Sequence, residues 1–286
     1  MTRFAYRLTA LLLMLCATYV AYTQQTPPPQ LAIEQVKDNL YMVVGGGGNV
    51  GCYVTNEGVV LVDDKYEQDY DQILGRVKSV TQQPIRYILS THYHADHSGG
   101  NTRFASVAEI ISTRNAREGI VKKIQSNAPA NMVPARVTFT EETSVFLGGH
   151  EVRARHFGRG HTNGDAVVYF PDLKVIHTGD LFTSATPLID YPVGGSLVEW
   201  PKTIDKIFAS GWDFDTVIPG HGPVSKPADL RAYRDRAETM AARVSTLIRQ
   251  GKSQDEVGKF MADEYKWTPT SLNMQWSLPG MMKELK

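Results

Sequence analysis

Six consecutive residues, His92-Tyr93-His94-Ala95-Asp96-His97, carry three imidazoles and a carboxylate, and an apolar run at 85–89 leads directly into them through Ser90-Thr91. This segment restricts the possible folds more than any other feature of the chain. Borderline metals such as zinc take neutral imidazole nitrogen and carboxylate oxygen. Without a cation, four such groups on one loop repel or stay unsatisfied unless water surrounds them. The run at 85–89 has the length and composition of a short strand, so the loop leaves a sheet where side chains are held rigidly. In an extended loop, residues two apart point to the same side. His92 and His94 then converge on one ion, while Asp96 and His97 point elsewhere and serve a neighbouring ion.

Later segments repeat the arrangement. Gly160-His161-Thr162-Asn163-Gly164-Asp165 sets a histidine in a tight glycine turn between two strand-like runs. Thr178-Gly179-Asp180 follows the run at 175–177, and Pro219-Gly220-His221-Gly222 follows the run at 216–218. Five of the eight histidines belong to this set, and each candidate ligand falls just past a strand end. Loops from one sheet edge gather in space, so the pattern predicts one shared metal centre.

The rest of the chain alternates strands and helices. Strand-like runs at 31–36, 40–44, 50–55 and 59–63 are separated by turn chemistry, including the glycines 45–48. No Gly-Lys-Ser/Thr follows those glycines, and a strand comes next, so they form a hairpin tip and not a phosphate loop. A helix is predicted at 66–80. Strands follow at 136–140, 144–147, 151–156 and 166–170, and a helix at 199–209. From Ala228 onward, Leu230, Tyr233, Ala237, Met240, Val244 and Leu247 recur at helical spacing, and Ser253-Gln254-Asp255-Glu256 matches a capping box. Alternating elements of this kind predict α/β layers.

Composition removes other classes. Thirty Lys+Arg balance thirty Asp+Glu, and 42% of the residues are hydrophobic. No basic footprint for nucleic acid exists, and the chain is not a disordered polyanion. Arg3 and Arg7 precede an uncharged apolar stretch at 8–20, which Ala21-Tyr22-Thr23 and a Pro-rich run follow. This predicts a secretory signal peptide at 1–23 and a stiff tether at 24–30. The stretch falls short of the roughly 20 residues of a spanning helix, so no stable membrane span is expected after cleavage. An uncleaved N-terminal anchor is the alternative. Cys16 follows Leu15, where a lipoprotein needs a small residue. Export to the periplasm or beyond leaves Cys52 alone, and a fold without disulfides must rely on its core or on metal. Cys52 itself is expected as a small buried hydrophobe.

His-x-His-x-Asp-His at 92–97, then Gly-His-Thr, Gly-Asp and Gly-His-Gly in that order, resembles the metallo-β-lactamase superfamily over roughly residues 31–223. The resemblance implies a four-layer αββα sandwich, two mixed sheets flanked by helices, with metals at one edge. It implies a catalytic domain at 31–224 and a helical extension at 225–286 packed on it. It assigns His92, His94 and His161 to a first metal, Asp96, His97 and His221 to a second, and Asp180 to a bridge between them. Asp63 matches the family's early aspartate, which supports the metal loop from behind, and Asp64 beside it is expected at the surface. The implied cofactors are two divalent ions, foremost Zn2+, with Fe or Mn as alternatives. A hydroxide shared between the ions would attack a small ester, lactone, thioester or β-lactam-like substrate, with Asp96 relaying the proton. Resistance-type zinc β-lactamases usually carry Cys or Ser where Asp180 stands. The aspartate is similar to glyoxalase-II-like, lactonase-like and transfer-RNA-processing branches.

Rival classes differ in metal and chemistry. A mononuclear iron sulfur dioxygenase shares the implied fold and a similar motif. A metal-binding module without activity would be expected to have lost a ligand. A nuclease conflicts with the neutral charge, and a flavodiiron role with His94, where that group carries Glu. Serine-hydrolase and His-Glu-x-x-His mechanisms lack their residues. His150 is expected in an exposed turn, and His156 and His177 within strands as packing or supporting groups. Tyr191 either contacts substrate or is structural. Trp200, Trp212, Trp267 and Trp276 are expected in the core or an interface.

Overall fold

Alternation of side chains along single strands decides the architecture. The computed structural model describes residues 30–126 and 132–286. Strands β1 (Ala32–Lys37), β2 (Leu40–Val44), β3 (Val50–Val54) and β4 (Val59–Val62) form an antiparallel meander. Helix α1 (Tyr70–Val80) crosses to β5 (Ile85–Ser90), which pairs parallel with β4. Two short turns, α2 (Ala95–Ser98) and α3 (Asn101–Phe104), lead to β6 (Glu109–Thr113). Helix α4 (Arg114–Gln125) leads to β7 (Val137–Phe139), which completes a seven-stranded mixed sheet.

Strands β8 (Glu142–Leu147), β9 (His150–Arg155), β10 (Val167–Phe170) and β11 (Val175–His177) build a second, antiparallel sheet. After helix α5 (Trp200–Ala209), β12 (Thr216–Ile218) joins it parallel to β11. Helices α6 (Pro227–Arg249), α7 (Gln254–Tyr265) and α8 (Leu278–Glu284) follow. The capping box at Ser253 forms: Ser253 Oγ accepts from Glu256 N at 3.3 Å, and Glu256 Oε2 accepts from Ser253 N at 2.9 Å.

In β4, Val59 and Leu61 pack toward Ile73 and Val77 of α1, while Val60 and Val62 face the second sheet. In β10, Val168 and Phe170 face the first sheet, while Val167 and Tyr169 join the apolar layer under α5 to α8. Each fully buried aliphatic side chain contributes roughly 1.5–3 kcal/mol. A slip of one residue would exchange the two faces, so these two-sided strands fix the register. The outcome is two mixed sheets face to face with helices outside, the sandwich that the motifs imply.

Several local expectations change. The helix expected from residue 66 opens as a 3-10 turn at Glu67–Asp69 and becomes α-helical at Tyr70. Strand β6 and helix α4 carry weak sequence signals, since α4 buries just Ala116, Gly119 and Ile120 among charged neighbours. Cys52 is buried as expected, and burial pushes its thiol up to about 12. The predicted leader, and all of the tether but Gln30, lie outside the described residues. Among the described residues, no helix is long and apolar enough to cross a membrane.

Candidate metal centre

Four loops leave the two sheets at one edge. Asp63 follows β4, His92 follows β5, Asp180 follows β11 and His221 follows β12. Parallel pairing of β4 with β5 and of β11 with β12 carries their C-terminal ends to the same side. The edges are also tied across the sandwich. Ala166 N donates to Thr91 O at 2.8 Å, and Asn49 N donates to Gly220 O at 2.7 Å. The Asn49 side-chain amide donates to Pro219 O at 3.0 Å and Gly222 O at 2.8 Å, which fixes the His221 loop.

The metal loop departs from the extended conformation expected of it. His94 is the last extended residue, and Asp96 and His97 lie on the single helical turn α2. That turn, and not alternation, separates Asp96 and His97 from the His92 and His94 side. His97 points into the centre against Gly48, where a Cβ would lie 2.2 Å from the imidazole ring. A glycine is therefore required in the hairpin tip. The same holds at Gly220, where a Cβ would lie 2.0 Å from Asp180 Oδ1.

The structure brings all seven predicted ligands together. His92, His94, His161 and Asp180 form one group, and Asp96, His97 and His221 form another, with donor atoms inside each group within 4.8 Å of one another. Asp180 faces both groups. Its Oδ2 lies 3.6 Å from His161 Nε2, and its Oδ1 lies 3.2 Å from His97 Nε2 and 3.4 Å from His221 Nε2. Asp96 Oδ2 lies 3.2 Å from His221 Nε2.

Outer hydrogen bonds set the imidazole tautomers, because carboxylates and carbonyls only accept. His94 Nε2 donates to Asp190 Oδ2 at 2.9 Å, His161 Nδ1 to Leu188 O at 2.6 Å, and His97 Nδ1 to Asp63 Oδ2 at 2.7 Å. Thr91 Oγ1 donates to Asp63 Oδ2 at 2.8 Å and so accepts from His92 Nδ1 at 3.0 Å. The inner nitrogens of His92, His94 and His161 are left with lone pairs. His94 Nδ1 and His161 Nε2 face each other at 2.8 Å, and buried His92 Nε2 has no hydrogen-bond partner. Converging lone pairs of this kind suit divalent cations.

The electrostatics agree. Burial and the neighbouring imidazoles hold His92 well below its usual value, and burial with His94 brings His161 to about 4. On the other side, burial opposes charge on His97, but Asp180, Asp96 and Asp63 outweigh it and hold that imidazole well above its usual value. Burial likewise opposes charge on His221, yet hydrogen bonds with Asp180 and Asp96 bring it up to about 9. Burial would raise the Asp180 carboxyl, but His97 and His221 keep it well below the carboxylate range. Three carboxylates thus draw positive charge into the place that cations suit.

Asp63 sits where expected and has a left-handed backbone, φ 65°. Its Oδ1 accepts from Thr91 N at 2.7 Å, so one carboxylate braces both the Thr91 main chain and His97. Asp64 corrects the surface expectation: it is fully buried. Burial and then the charge of Asp63 raise its carboxyl well above the ordinary value. Lys65 is buried too, and its Nζ donates to Gly46 O at 3.1 Å and to Gly48 O, which clamps the hairpin tip over His97.

The other three histidines are not among the candidate ligands. His150 opens β9, half-buried, with Nδ1 2.7 Å from Asp172 Oδ2, and His156 Nδ1 donates to Asp165 O at 2.7 Å. His177 is buried in β11. Tyr191 is structural, its hydroxyl donating to Glu284 Oε2 at 2.6 Å. Trp200, Trp212 and Trp267 are in the core, but Trp276 is not: it lines the cavity at the centre, its ring 6.2 Å from that of His94. No role is assigned to Asp190 or Lys123 from the sequence alone.

Comparison with known proteins agrees with the geometry. The family model described as the Metallo-beta-lactamase superfamily matches residues 43–248. Metallo-beta-lactamase IND-1 of Chryseobacterium indologenes is 29% identical over 198 residues, covering 65% of this chain and 80% of that protein. Metallo-beta-lactamase type 2 of Elizabethkingia meningoseptica is 27% identical over 211 residues, covering 70% and 82%. Among solved structures, DIM-1 metallo-beta-lactamase superposes with a TM-score of 0.64 at 21% identity, covering 74% of this chain and 98% of that one. With the sandwich, the gathered ligands and the matched family model in agreement, the chain belongs to the metallo-beta-lactamase superfamily, as a metal-dependent hydrolase.

Proposed function

We propose that the protein is a dinuclear hydrolase, most simply a zinc enzyme, that opens a small ester, lactone, thioester or β-lactam-like carbonyl compound. The observation that carries this reading is the set of inward lone pairs on His92, His94 and His161 beside a second His/Asp group that shares Asp180. His92, His94 and His161 would hold the first ion and Asp96, His97 and His221 the second, with Asp180 shared between the two groups. When bound, the pair supplies a hydroxide at neutral pH and polarises the scissile carbonyl.

The protein's own groups do the remaining work. Beside the centre lies a cavity of about 400 Å³. Tyr66, Leu188, Leu272 and Trp276 give it apolar walls, which exclude water from the reacting carbonyl and seat the substrate body. Asp96 lines the same cavity. Burial would raise its carboxyl, but His97 and a hydrogen bond from His221 hold it well below the usual range, so it is ionised. It accepts the nucleophile's proton and passes it to the departing oxygen, sulfur or nitrogen. Among the described residues, Lys123 is the one basic side chain besides histidine along this cavity, and it offers a cation to an anionic substrate group.

The names of the relatives support a lactam within this substrate class, and the all-nitrogen-and-oxygen ligand set supports oxygen esters and lactones. The predicted N-terminal leader supports chemistry outside the cytoplasm, with no stable membrane span after cleavage and no nucleic-acid partner expected. Elemental analysis combined with turnover of nitrocefin, lactones and thioesters tests the proposal. Two ions per chain and chelator-sensitive turnover of at least one compound are expected. One iron per chain with persulfide-dependent oxygen uptake, and no hydrolysis, would replace it with a dioxygenase.

A further inference from the structure

We infer that the C-terminal segment 267–284, which follows the residues matched by the family model, is a working part of the metal centre: it positions His94 and His161 through the loop at 185–198. The inference rests on the reading of that cluster as a metal site.

The argument starts from the loop. Two of its groups hold metal ligands from behind. Leu188 O accepts from His161 Nδ1 at 2.6 Å, and Asp190 Oδ2 accepts from His94 Nε2 at 2.9 Å. The loop has no strand or α-helix of its own, only a 3-10 turn at Tyr191–Val193. A loop without a ladder must take its position from outside contacts.

The main chain around His161 supplies some of them, with Asp190 N donating to His161 O and Ser196 N to Gly160 O, both at 2.9 Å, and the C-terminal segment supplies the others, on the residues between and beside those two. Asn273 Nδ2 donates to Pro187 O at 2.8 Å. Ser277 Oγ accepts from Ile189 N at 2.9 Å and donates to Ile189 O at 3.0 Å. Glu284 Oε2 accepts from Tyr191 OH at 2.6 Å and from Leu197 N at 3.0 Å, while Oε1 accepts from Ser196 Oγ. Residues 187, 189 and 191 are therefore gripped by the C-terminal segment, and 188 and 190 grip the ligands. Helix α8 also comes too close to Tyr191 for any side chain at the contact, since a Cβ on Gly280 would lie 2.0 Å from the tyrosine ring.

The same segment faces the cavity. Leu272, Asn273 and Trp276 line it, so the elements that hold the ligands also shape the space for substrate. Partners of metal-bound histidines typically account for about 10- to 100-fold in metal affinity. The segment acts on those partners, and Glu284 and Ser277 are its two positioning residues.

The experiment measures Zn2+ affinity of the full chain by competition with a chromophoric chelator, together with the Co2+ absorption spectrum. The variants are Ser277→Ala, Glu284→Gln and Glu284→Ala. Weaker binding of one ion by about 10-fold or more in Glu284→Ala, with an altered cobalt spectrum and the second ion unaffected, is expected. Ser277→Ala and Glu284→Gln should show the same change to a smaller degree, and they carry the test if Glu284→Ala does not fold. Lower melting temperature with unchanged affinity and spectrum in all folded variants would overturn the inference and leave the segment merely structural. If the wild-type chain binds ions but turns over no substrate, the hydrolase reading fails while this one stands.

Discussion

Asp190 Oδ2 stands 2.9 Å from His94 Nε2, although 96 positions separate the two residues in the chain. The same oxygen accepts from Tyr93 OH, so one buried carboxylate takes two donors from the metal loop. The carboxylate sets the tautomer of His94 and turns its Nδ1 lone pair inward. Burial would raise the Asp190 carboxyl, yet hydrogen bonds from His94 and Tyr93 hold it below its ordinary value, so it remains an acceptor.

Replacing Asp190 by Ala removes that acceptor. Metal affinity of the group containing His92, His94 and His161 is expected to fall about 10- to 100-fold. Chelator competition on the purified variant measures this. Affinity within twofold of wild type would show that the contact orients nothing.

Asp63 braces the opposite flank and is buried with three donors directed at it. In Asp63→Ala the main-chain N–H of Thr91 and Nδ1 of His97 lose their acceptor inside the protein. Each stranded donor costs about 1–3 kcal/mol, so the variant should unfold at clearly lower denaturant concentration than wild type. Chemical denaturation of both proteins in the metal-free state checks this, and equal midpoints would contradict it.

Lys123 tests substrate recognition without touching the ligands. Its Nζ lies 5.9 Å from the Tyr93 ring centroid, and it lines the cavity. A charge-assisted contact contributes about 1.5–3 kcal/mol. Lys123→Ala is therefore expected to raise KM about 10-fold or more for anionic substrates, with kcat nearly unchanged. A neutral ester of the same acid should show no such effect. Equal losses for both would place the lysine in packing and not in recognition.

His177 gives the fold an acid limit of its own. Its Nε2 donates to Asn49 O at 3.2 Å, and its Nδ1 accepts from Gly179 N at 3.2 Å, which requires the neutral ring. Burial pushes the imidazole down to about 4, with His97 adding to the effect and Asp63 and Asp180 opposing it. The unfolded chain titrates near 6.5, so between these values it binds more protons than the folded one. This contribution is complete above about 6.5 and is lost as pH falls toward 4. Denaturation midpoints of His177→Gln and wild type should converge as pH drops through that window. A constant difference would show that His177 does not titrate there.

Much of the centre was legible because its ligands obey local rules. His92, His161, Asp180 and His221 each follow a strand or sit in a tight turn, and short stretches of sequence reveal both. Cys52, the strand-like runs and the capping box at Ser253 were legible for the same reason. Asp64 was not: its burial depends on Gly100 packing against it, where a Cβ would meet its carboxylate at 2.9 Å or less. Trp276 is expected in the core or an interface because large aromatics usually are, and only its place beside His94 shows that it lines the cavity.

Chain-local chemistry specified the donor atoms, the strands that carry them and the hydrogen-bonding needs of each side chain. It did not specify which residue meets those needs. Whether His94 finds Asp190, His161 finds Leu188 O, or Glu284 closes over the loop depends on how distant segments pack together. Hydrogen bonding is short-ranged, so partners nearly a hundred positions apart leave no trace in either neighbourhood until the sheets and helices have set the distance between them.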